Sequence, residues 1–401
     1  MKAGGWPSII LIYLFGVLAV ASLSKLIPLA DAFEQSLGAS PQQFALLLSL
    51  LAVPAAVLGA VVGGFVDRIG AGRALVLSAL AGALANLMYF FAQPIGTFQM
   101  IRVFEGFSMV GVFASAPALL MATTADKRRV RAMALWSTYT PVGFSAGLVM
   151  SGAFVGTPHW RGSFAVHGSL FVALALAGLM LPTIARKPVD KAESTVTVRV
   201  RQLFAAYGQV KPLRLALAFG AIASIGLGTS TIFPAYFSHE HQLAVGTASN
   251  ILAGANLAMV AGSALAGALV SRGIRVRSLF AAIALTGTVA GAAIYFPGTP
   301  LNAGLVALCV WLATTGAANA TVLAVLPRVI ADTQRGASAA GLISQMGALV
   351  AFVTPPIWLP LLANGGWTPF VALVIAGWLA SFLLLPVRNS GVSMTEAAAS
   401  R

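Results

Sequence analysis

Twelve transmembrane helices in two pseudo-symmetric six-helix bundles, an all-α membrane protein, is the architecture this chain predicts, and three observations predict it. Of its 401 residues, 59% are hydrophobic and 8% charged, with a mean hydropathy of +0.91, which is far more apolar than a soluble globule. Apolar windows of roughly 20 residues, the length that crosses a bilayer, recur twelve times, centred near Val17, Val53, Leu80, Val110, Phe144, Leu174, Ile225, Gly262, Leu285, Leu312, Val350 and Ala376. The two halves also echo each other. Gly63…Val66-Asp67-Arg68…Arg73 aligns with Gly267…Val270-Ser271-Arg272…Arg277, and Ala125-Asp126…Arg129 with Ala331-Asp332…Arg335.

The elements follow in order. The first apolar run, from Pro7 to about Ala30, is longer than the core of a cleavable signal and has no convincing processing site, so it reads as a retained helix. Six windows fill residues 1–185. Residues 186–211 then form a polar linker carrying Lys187, Lys191, Arg199, Arg201 and Lys211, expected in the cytoplasm. The second bundle and a short tail occupy 212–401. Trp160 and Trp367 each open the last helix of a half and continue the repeat. Such an internal repeat suits alternating access, because two similar bundles can rock about a central site.

Charge sets the orientation. If both termini are cytoplasmic, all of the 24 Lys and Arg residues except Lys25, Arg102 and Arg161 fall on cytoplasmic elements, a strong positive-inside asymmetry. The net charge of +14 is therefore a topology signal. The basic residues are dispersed over short loops with no recognition fold, which excludes a nucleic-acid partner. Cys309, the single cysteine, rules out a disulfide frame or a Cys-rich metal site and reads as a small core residue. No nucleotide-binding loop, H-E-x-x-H or nucleophile elbow is present, so the chain reads as no enzyme, with no cofactor or metal, driven by an ion or solute gradient.

Between the second and third windows stands Gly63-Gly64-Phe65-Val66-Asp67-Arg68-Ile69-Gly70-Ala71-Gly72-Arg73. The spacing G-x-x-x-D-R-x-G-x-x-R resembles the loop 2–3 signature of the major facilitator superfamily. The resemblance spans about Pro7 to Arg388 and implies a conformational latch of Asp67, Arg68, Arg73, Asp126 and Arg129, in which an acid at a helix end pairs with a basic group and ties bundles together. Ser271 replaces the acid in the second copy, so the latch is expected to be stronger in the first half. In the fourth window, Arg102-Val103-Phe104-Glu105-Gly106 resembles the family's R-x-x-x-G signature, whose arginine is linked to proton transfer. In the fifth, Thr140-Pro141-Val142-Gly143-Phe144-Ser145-Ala146-Gly147 only partly resembles the antiporter signature G-x-x-x-G-P-x-x-G-G, which weakens a drug-export reading.

Ionisable residues inside a membrane are costly and ask for a reason. Three lie well within the windows: Lys25 in the first helix, Arg102 and Glu105 in the fourth. At ~1.5 Å of rise per residue, Lys25 and Arg102 sit at similar depth in the outer half, and Glu105 shares the Arg102 face at i+3. The family resemblance places helices 1, 4, 7 and 10 around the central cavity. Glu105 and Arg102 read as a proton-coupling pair or, equally, as a self-neutralising ion pair. Lys25 reads as a cavity residue, with snorkelling to the interface as its alternative.

The second half offers uncharged hydrogen-bonding groups: Ser224, Thr229, Ser230, Thr231 and Tyr236, then Thr314, Thr315 and Asn319, then Ser344 and Gln345. Most membrane Ser and Thr merely bond backbone carbonyls. The expected solute-binding set is Lys25, Arg102, Tyr139, Tyr236, Asn319 and Gln345. Phe104, Phe107, Trp136, Tyr139, Phe233, Trp311 and Trp358 are candidate stacking groups. His239 and His241 flank Glu240 in an expected outer loop, His159 precedes Arg161 in another, and His167 reads as a packing histidine of a peripheral helix.

The expected function is a secondary active transporter working by alternating access, in a bacterial cell inner membrane with both termini cytoplasmic. Proton-coupled uptake of a small anionic or polar-aromatic metabolite, an organic anion or a vitamin, is the first reading, and proton-driven efflux of drugs or toxic metabolites is the alternative. Its partners are then the solute, protons and the lipid bilayer, and the protein is a monomer.

Overall fold

A computed structural model describes residues 3–181, 210–329, 336–364 and 368–386, and every regular element among them is helical. Each of the twelve window centres falls inside a helical span. The first bundle holds α1 (Trp6–Ser24), α2 in two pieces (α2a, Pro41–Leu50, and α2b, Val53–Ile69), α3 (Ala71–Phe91), α4 (Ile95–Thr123), α5 in two pieces (α5a, Asp126–Trp136, and α5b, Tyr139–Gly152) and α6 (Gly162–Gly178). The second holds α7 (Val210–His241), α8 in two pieces (α8a, Val245–Ala255, and α8b, Ala258–Ser271), α9 (Val276–Tyr295), α10 (Leu301–Val329), α11 (Gly336–Asn364) and α12 (Thr368–Leu384). Of the expected linker, residues 186–209 lie outside the described residues, as do the repeat positions Asp332, Arg335 and Trp367.

Three breaks are features that apolarity alone does not announce. Pro54 enters the first turn of α2b and Pro141 that of α5b. A proline has no N–H for the carbonyl one turn back, so the helix restarts there. The break in α8 has no proline; it falls at the buried Asn256, and since Gly63 aligns with Gly267, Asn256 is the repeat partner of Ala52 at the α2 break. The repeat is thus visible in backbone geometry as well as in residue identity. Tight ends are handled locally. Ser40 and Gln43 close a capping box at the start of α2a, with Gln43 N–H donating to Ser40 Oγ at 3.2 Å and Ser40 N–H to Gln43 Oε1 at 2.9 Å. Gly70 takes φ +89° in the turn from α2b to α3, a conformation open to glycine and costly for other residues.

Within each bundle, small residues let backbones close up. A Cβ placed on Gly262 of α8b would collide with the Ala313 carbonyl of α10, and one on Gly316 of α10 with the Met259 carbonyl of α8b. Without a hydrophobic drive between helices in lipid, this close packing supplies much of their association. Cys309, expected in the core, is instead exposed on the outer surface of α10. The long exposed row of Leu, Val, Phe and Met side chains on α3, α6 and α9 is what a bilayer-facing surface requires.

The bundles meet where α5b packs on α8a and where α2 packs on α11. Ser145 Oγ, hydrogen-bonded to Pro141 O at 2.8 Å and Ala253 O at 2.7 Å, bridges the two. Gly152 and Gly246 pass backbone to backbone beside them. These contacts sit away from the side where α1 begins and α12 ends. On that side, α5a packs with α1 and α4, and α8b with α10, each inside its own bundle.

Candidate functional site

The sequence placed three ionisable residues in the membrane, and the fold gathers all three. Lys25 stands directly after the last residue of α1, while Arg102 and Glu105 stand one turn apart on α4; all are buried. Lys25 Nζ lies 2.6 Å from Glu105 Oε1, and Arg102 Nη1 lies 2.8 Å from Glu105 Oε2, so one carboxylate joins both cations. Lys25 therefore points into the first bundle, which rules out snorkelling for it.

Two residues that sequence reasoning passed over, Asn86 and Tyr89, and a third that it read as packing, His167, complete the centre. Asn86 Oδ1 accepts from Lys25 Nζ at 2.7 Å, and Tyr89 donates its hydroxyl to Glu105 Oε2 at 2.9 Å. His167 Nδ1 lies 3.2 Å from Lys25 Nζ. The expectation that His167 merely packs on a peripheral helix is corrected here: α6 lies against α3 and α1, and its buried face reaches the centre. The available signal was that Asn86, Tyr89 and His167 are polar groups in otherwise apolar helices, each needing a partner.

His167, Asn86 and Arg102 are each held by a further bond. His167 Nε2 lies 3.1 Å from the Leu18 carbonyl, an acceptor only, so the network assigns the ring proton to Nε2 and leaves Nδ1 as an acceptor. Asn86 Nδ2 donates to Gly82 O at 2.8 Å, which turns Oδ1 toward Lys25. Arg102 donates through Nε to Leu47 O at 3.1 Å and through Nη1 to Ser22 O at 2.9 Å, tying α4 to α2a and α1. Its Nη2 has no hydrogen-bond partner among the described residues. Two cations face one anion, so the centre carries a net positive charge with His167 neutral. Aromatic rings seal its outer side: Tyr89 and Phe164 lie 4.9 Å apart, Phe98 stacks on Tyr89 at 5.6 Å, and Trp160 packs beyond. Arg161 caps that stack, 5.1 Å from the Trp160 ring.

The other expected solute-binding residues have separate neighbourhoods. Tyr139, half-buried at the α5 break, stacks on Trp136 at 4.3 Å and tilts against Phe113 at 5.4 Å. Beside them Tyr13 OH and Thr138 Oγ1 are 3.0 Å apart. Tyr236 meets Tyr295 edge-on at 4.9 Å. Asn319 leaves its buried Oδ1 without a hydrogen-bond partner among the described residues. Gln345 on α11 donates to the Ala56 carbonyl of α2b at 3.4 Å, across the two bundles.

Most of the Ser and Thr candidates are spent within the fold. Thr231, Thr314 and Thr315 bond backbone carbonyls of their own helices, and Ser224 meets Thr354 at 3.1 Å. Trp311 and Trp358 are buried in the second bundle, while Phe107 is exposed on α4. His239, Glu240 and His241, expected in a loop, instead form the last turn of α7, where Glu240 Oε1 accepts from Gly298 N–H of the α9–α10 turn at 3.1 Å. Of the latch residues, Arg68 and Arg73 are exposed, and Arg129 grips the Thr124 carbonyl through Nε (2.9 Å) and Nη2 (2.7 Å), capping α4. The side chains of Asp67, Asp126 and Ser344 lie outside the described residues.

With this geometry in place, the chain was compared with known proteins. A family model described as Major Facilitator Superfamily matches residues 9–355. A tetracenomycin C resistance and export protein of Streptomyces glaucescens is 24% identical over 189 residues, a stretch that is 46% of this chain and 35% of that protein, so the match spans about a third of the relative's length. Among solved structures, a bacterial homologue of the human lysosomal transporter Spinster, inward-facing and unoccupied, superposes with a TM-score of 0.74 at 14% identity, covering 96% of this chain and 95% of that one. The nucleoside transporter NupG superposes with a TM-score of 0.73 at 15% identity, covering 94% of this chain and 98% of that one.

Proposed function

The chain belongs to the Major Facilitator Superfamily, and from that premise we propose that it is a secondary active transporter of a small organic solute, driven by protons and seated in a bacterial inner membrane with both termini in the cytoplasm. One observation carries the coupling part of this reading: Glu105, buried on α4, is the sole anion between two buried cations, Lys25 and Arg102. A buried ion cluster contributes little net stability, yet it is costly to disturb. Its retention in a lipid-embedded bundle is best explained by work in the transport cycle. In the proposed cycle, Glu105 takes and releases the coupling proton, and Arg102 answers by trading its carboxylate bond for the Ser22 and Leu47 carbonyls that already hold it.

Uptake of an anionic or polar-aromatic metabolite is the first reading of the solute. The net positive centre favours an anion, since a lone charge in low dielectric discriminates strongly by sign. Lys25 spends all three ammonium hydrogens in the present state, so direct contact with the solute would require it to exchange one acceptor. The stacked Trp136–Tyr139 pair and the unsatisfied Asn319 Oδ1 support a ring-bearing solute with a hydrogen-bond donor. Two bundles joined through the α5b–α8a and α2–α11 contacts support an alternating-access cycle in which one bundle rocks against the other. The basic residues of the short loops support the assigned orientation.

Export is the second reading, favoured by the partial likeness to the tetracenomycin C export protein. One experiment tests both: flux of labelled organic anions and polar aromatics in proteoliposomes of known protein orientation, with and without a pH gradient. Uphill uptake down the proton gradient supports the first reading. Proton-driven flux in the opposite sense supports the second. Flux that ignores the gradient overturns proton coupling.

A further inference from the structure

The neighbourhood of Lys25 Nζ is more complete than a salt bridge needs. A primary ammonium has three N–H donors, and here each has its own acceptor: Glu105 Oε1 at 2.6 Å, Asn86 Oδ1 at 2.7 Å and His167 Nδ1 at 3.2 Å. The Tyr89 and Phe164 rings add their faces, with centroids 4.9 and 5.5 Å from Nζ. Cations are attracted to such faces within about 6 Å. Three acceptors and two π faces around one point is the recognition chemistry of a primary ammonium ion.

None of the acceptors depends on Lys25 for its position. Gly82 O fixes the Asn86 amide, Leu18 O fixes the His167 ring, and Arg102 with Tyr89 fixes the Glu105 carboxylate. The cage is built by α3, α4 and α6, while its occupant arrives on the end of α1. We propose that this is a monovalent-cation site of primary-ammonium type whose occupant is the protein's own Lys25. Lys25 then acts as a specificity residue: it holds the site against soluble cations. Truncating it opens the site to a free primary ammonium ion. The inference does not rest on the transport reading, because its test is a binding measurement.

Lys25→Ala removes the three-carbon stem and ammonium that n-propylammonium restores. The full chain carrying Lys25→Ala, solubilised and purified with n-propylammonium and then freed of it, is expected to show a saturable rise in Tm of several degrees when the amine is returned. Wild-type protein should show no such rise. Propyltrimethylammonium, which keeps the charge and loses all three donors, should be ineffective. Adding Asn86→Leu or His167→Phe to Lys25→Ala should weaken the amine effect at least several-fold. Lys25→Met provides a second route, since it fills the stem volume and leaves only the head position open. It should be stabilised by ammonium chloride and not by tetramethylammonium chloride. Equal stabilisation of wild type, an equal response to the quaternary ion, or no response to either primary ion would overturn the proposal. So would failure of both variants to be recovered folded with the ions present, because the cage is argued to stand without Lys25.

Discussion

The two bundles carry the same aromatic pair at the same place and use it differently. In the first, Tyr89 of α3 meets Phe164 of α6 at 4.9 Å and turns its hydroxyl onto the Glu105 carboxylate. In the second, Tyr295 at the end of α9 meets Phe370 of α12 at 5.3 Å, and its hydroxyl reaches only the Thr229 backbone carbonyl at 3.4 Å. Carrying the Tyr89-to-Tyr295 and Phe164-to-Phe370 correspondence forward sets Trp311 where Glu105 stands. Trp311 is fully buried, with Trp378 edge-on at 6.0 Å. The second bundle shows that the scaffold closes around apolar filling. The charges of the first bundle are thus an addition to a fold that does not need them, and their cost must be offset by function.

The largest effect should come from Glu105→Gln. It leaves Lys25 and Arg102 buried without a counter-ion, and the loss of one partner in such a cluster costs about 3–5 kcal/mol. Denaturation should show that loss, and pH-gradient-driven accumulation should vanish while counterflow exchange persists. Unchanged accumulation would make the centre structural and erase the functional difference between the bundles. At the matching position, Trp311→Phe should leave proton dependence intact, whatever its effect on stability.

The next effect concerns the inner turns, where the second copy has Ser271 for Asp67. Ser271 is exposed and bonds only its own helix, at Ala268 O. Asp67→Asn should lower the transport rate roughly tenfold in folded, inserted protein, within the 1–3 kcal/mol usual for coupling between states. Ser271→Asp should change it by less than about threefold, as a charge added to a latch that works without one. Equal effects would mean the latch is symmetric.

Asn319→Ala probes the uncharged half directly. If its free Oδ1 accepts from the solute, apparent KM should rise roughly 2- to 10-fold, matching about 0.5–1.5 kcal/mol for one hydrogen bond, with pH dependence unaltered. A shifted pH profile would place coupling in both bundles. Smallest is Ser145→Ala, which deletes the bridge to Ala253 O and should favour separation of α5b from α8a by about 1 kcal/mol. Accessibility labelling at the outer side checks that shift.

The twelve spans, the repeat and the Lys25–Arg102–Glu105 meeting were legible because membrane length and intramembrane charge are strong signals in a single sequence. Asn86, Tyr89 and His167 were not. α3 and α6 are apolar on every side, so periodicity does not say which face turns inward, and a lone polar residue in such a helix reads equally as packing or as site. The break at Asn256 was hidden for a related reason: it has no proline, and a glycine such as Gly254 is too common in membrane helices to mark it. Cys309 was misjudged because in lipid an apolar residue gains as much by facing out as in.

The aromatic stack from Trp160 to Tyr89 has an electrical consequence. It covers the positive centre on the side away from the start of α1, and the bonds to Leu18, Ser22, Leu47 and Gly82 moor the charges to the first bundle. In the proposed rocking cycle, that charge rotates with its own frame and crosses little of the transmembrane field. A full elementary charge crossing it would exchange about 2.3 kcal/mol per 100 mV. The return stroke of the empty carrier should therefore be nearly deaf to voltage, leaving current to the proton and the solute.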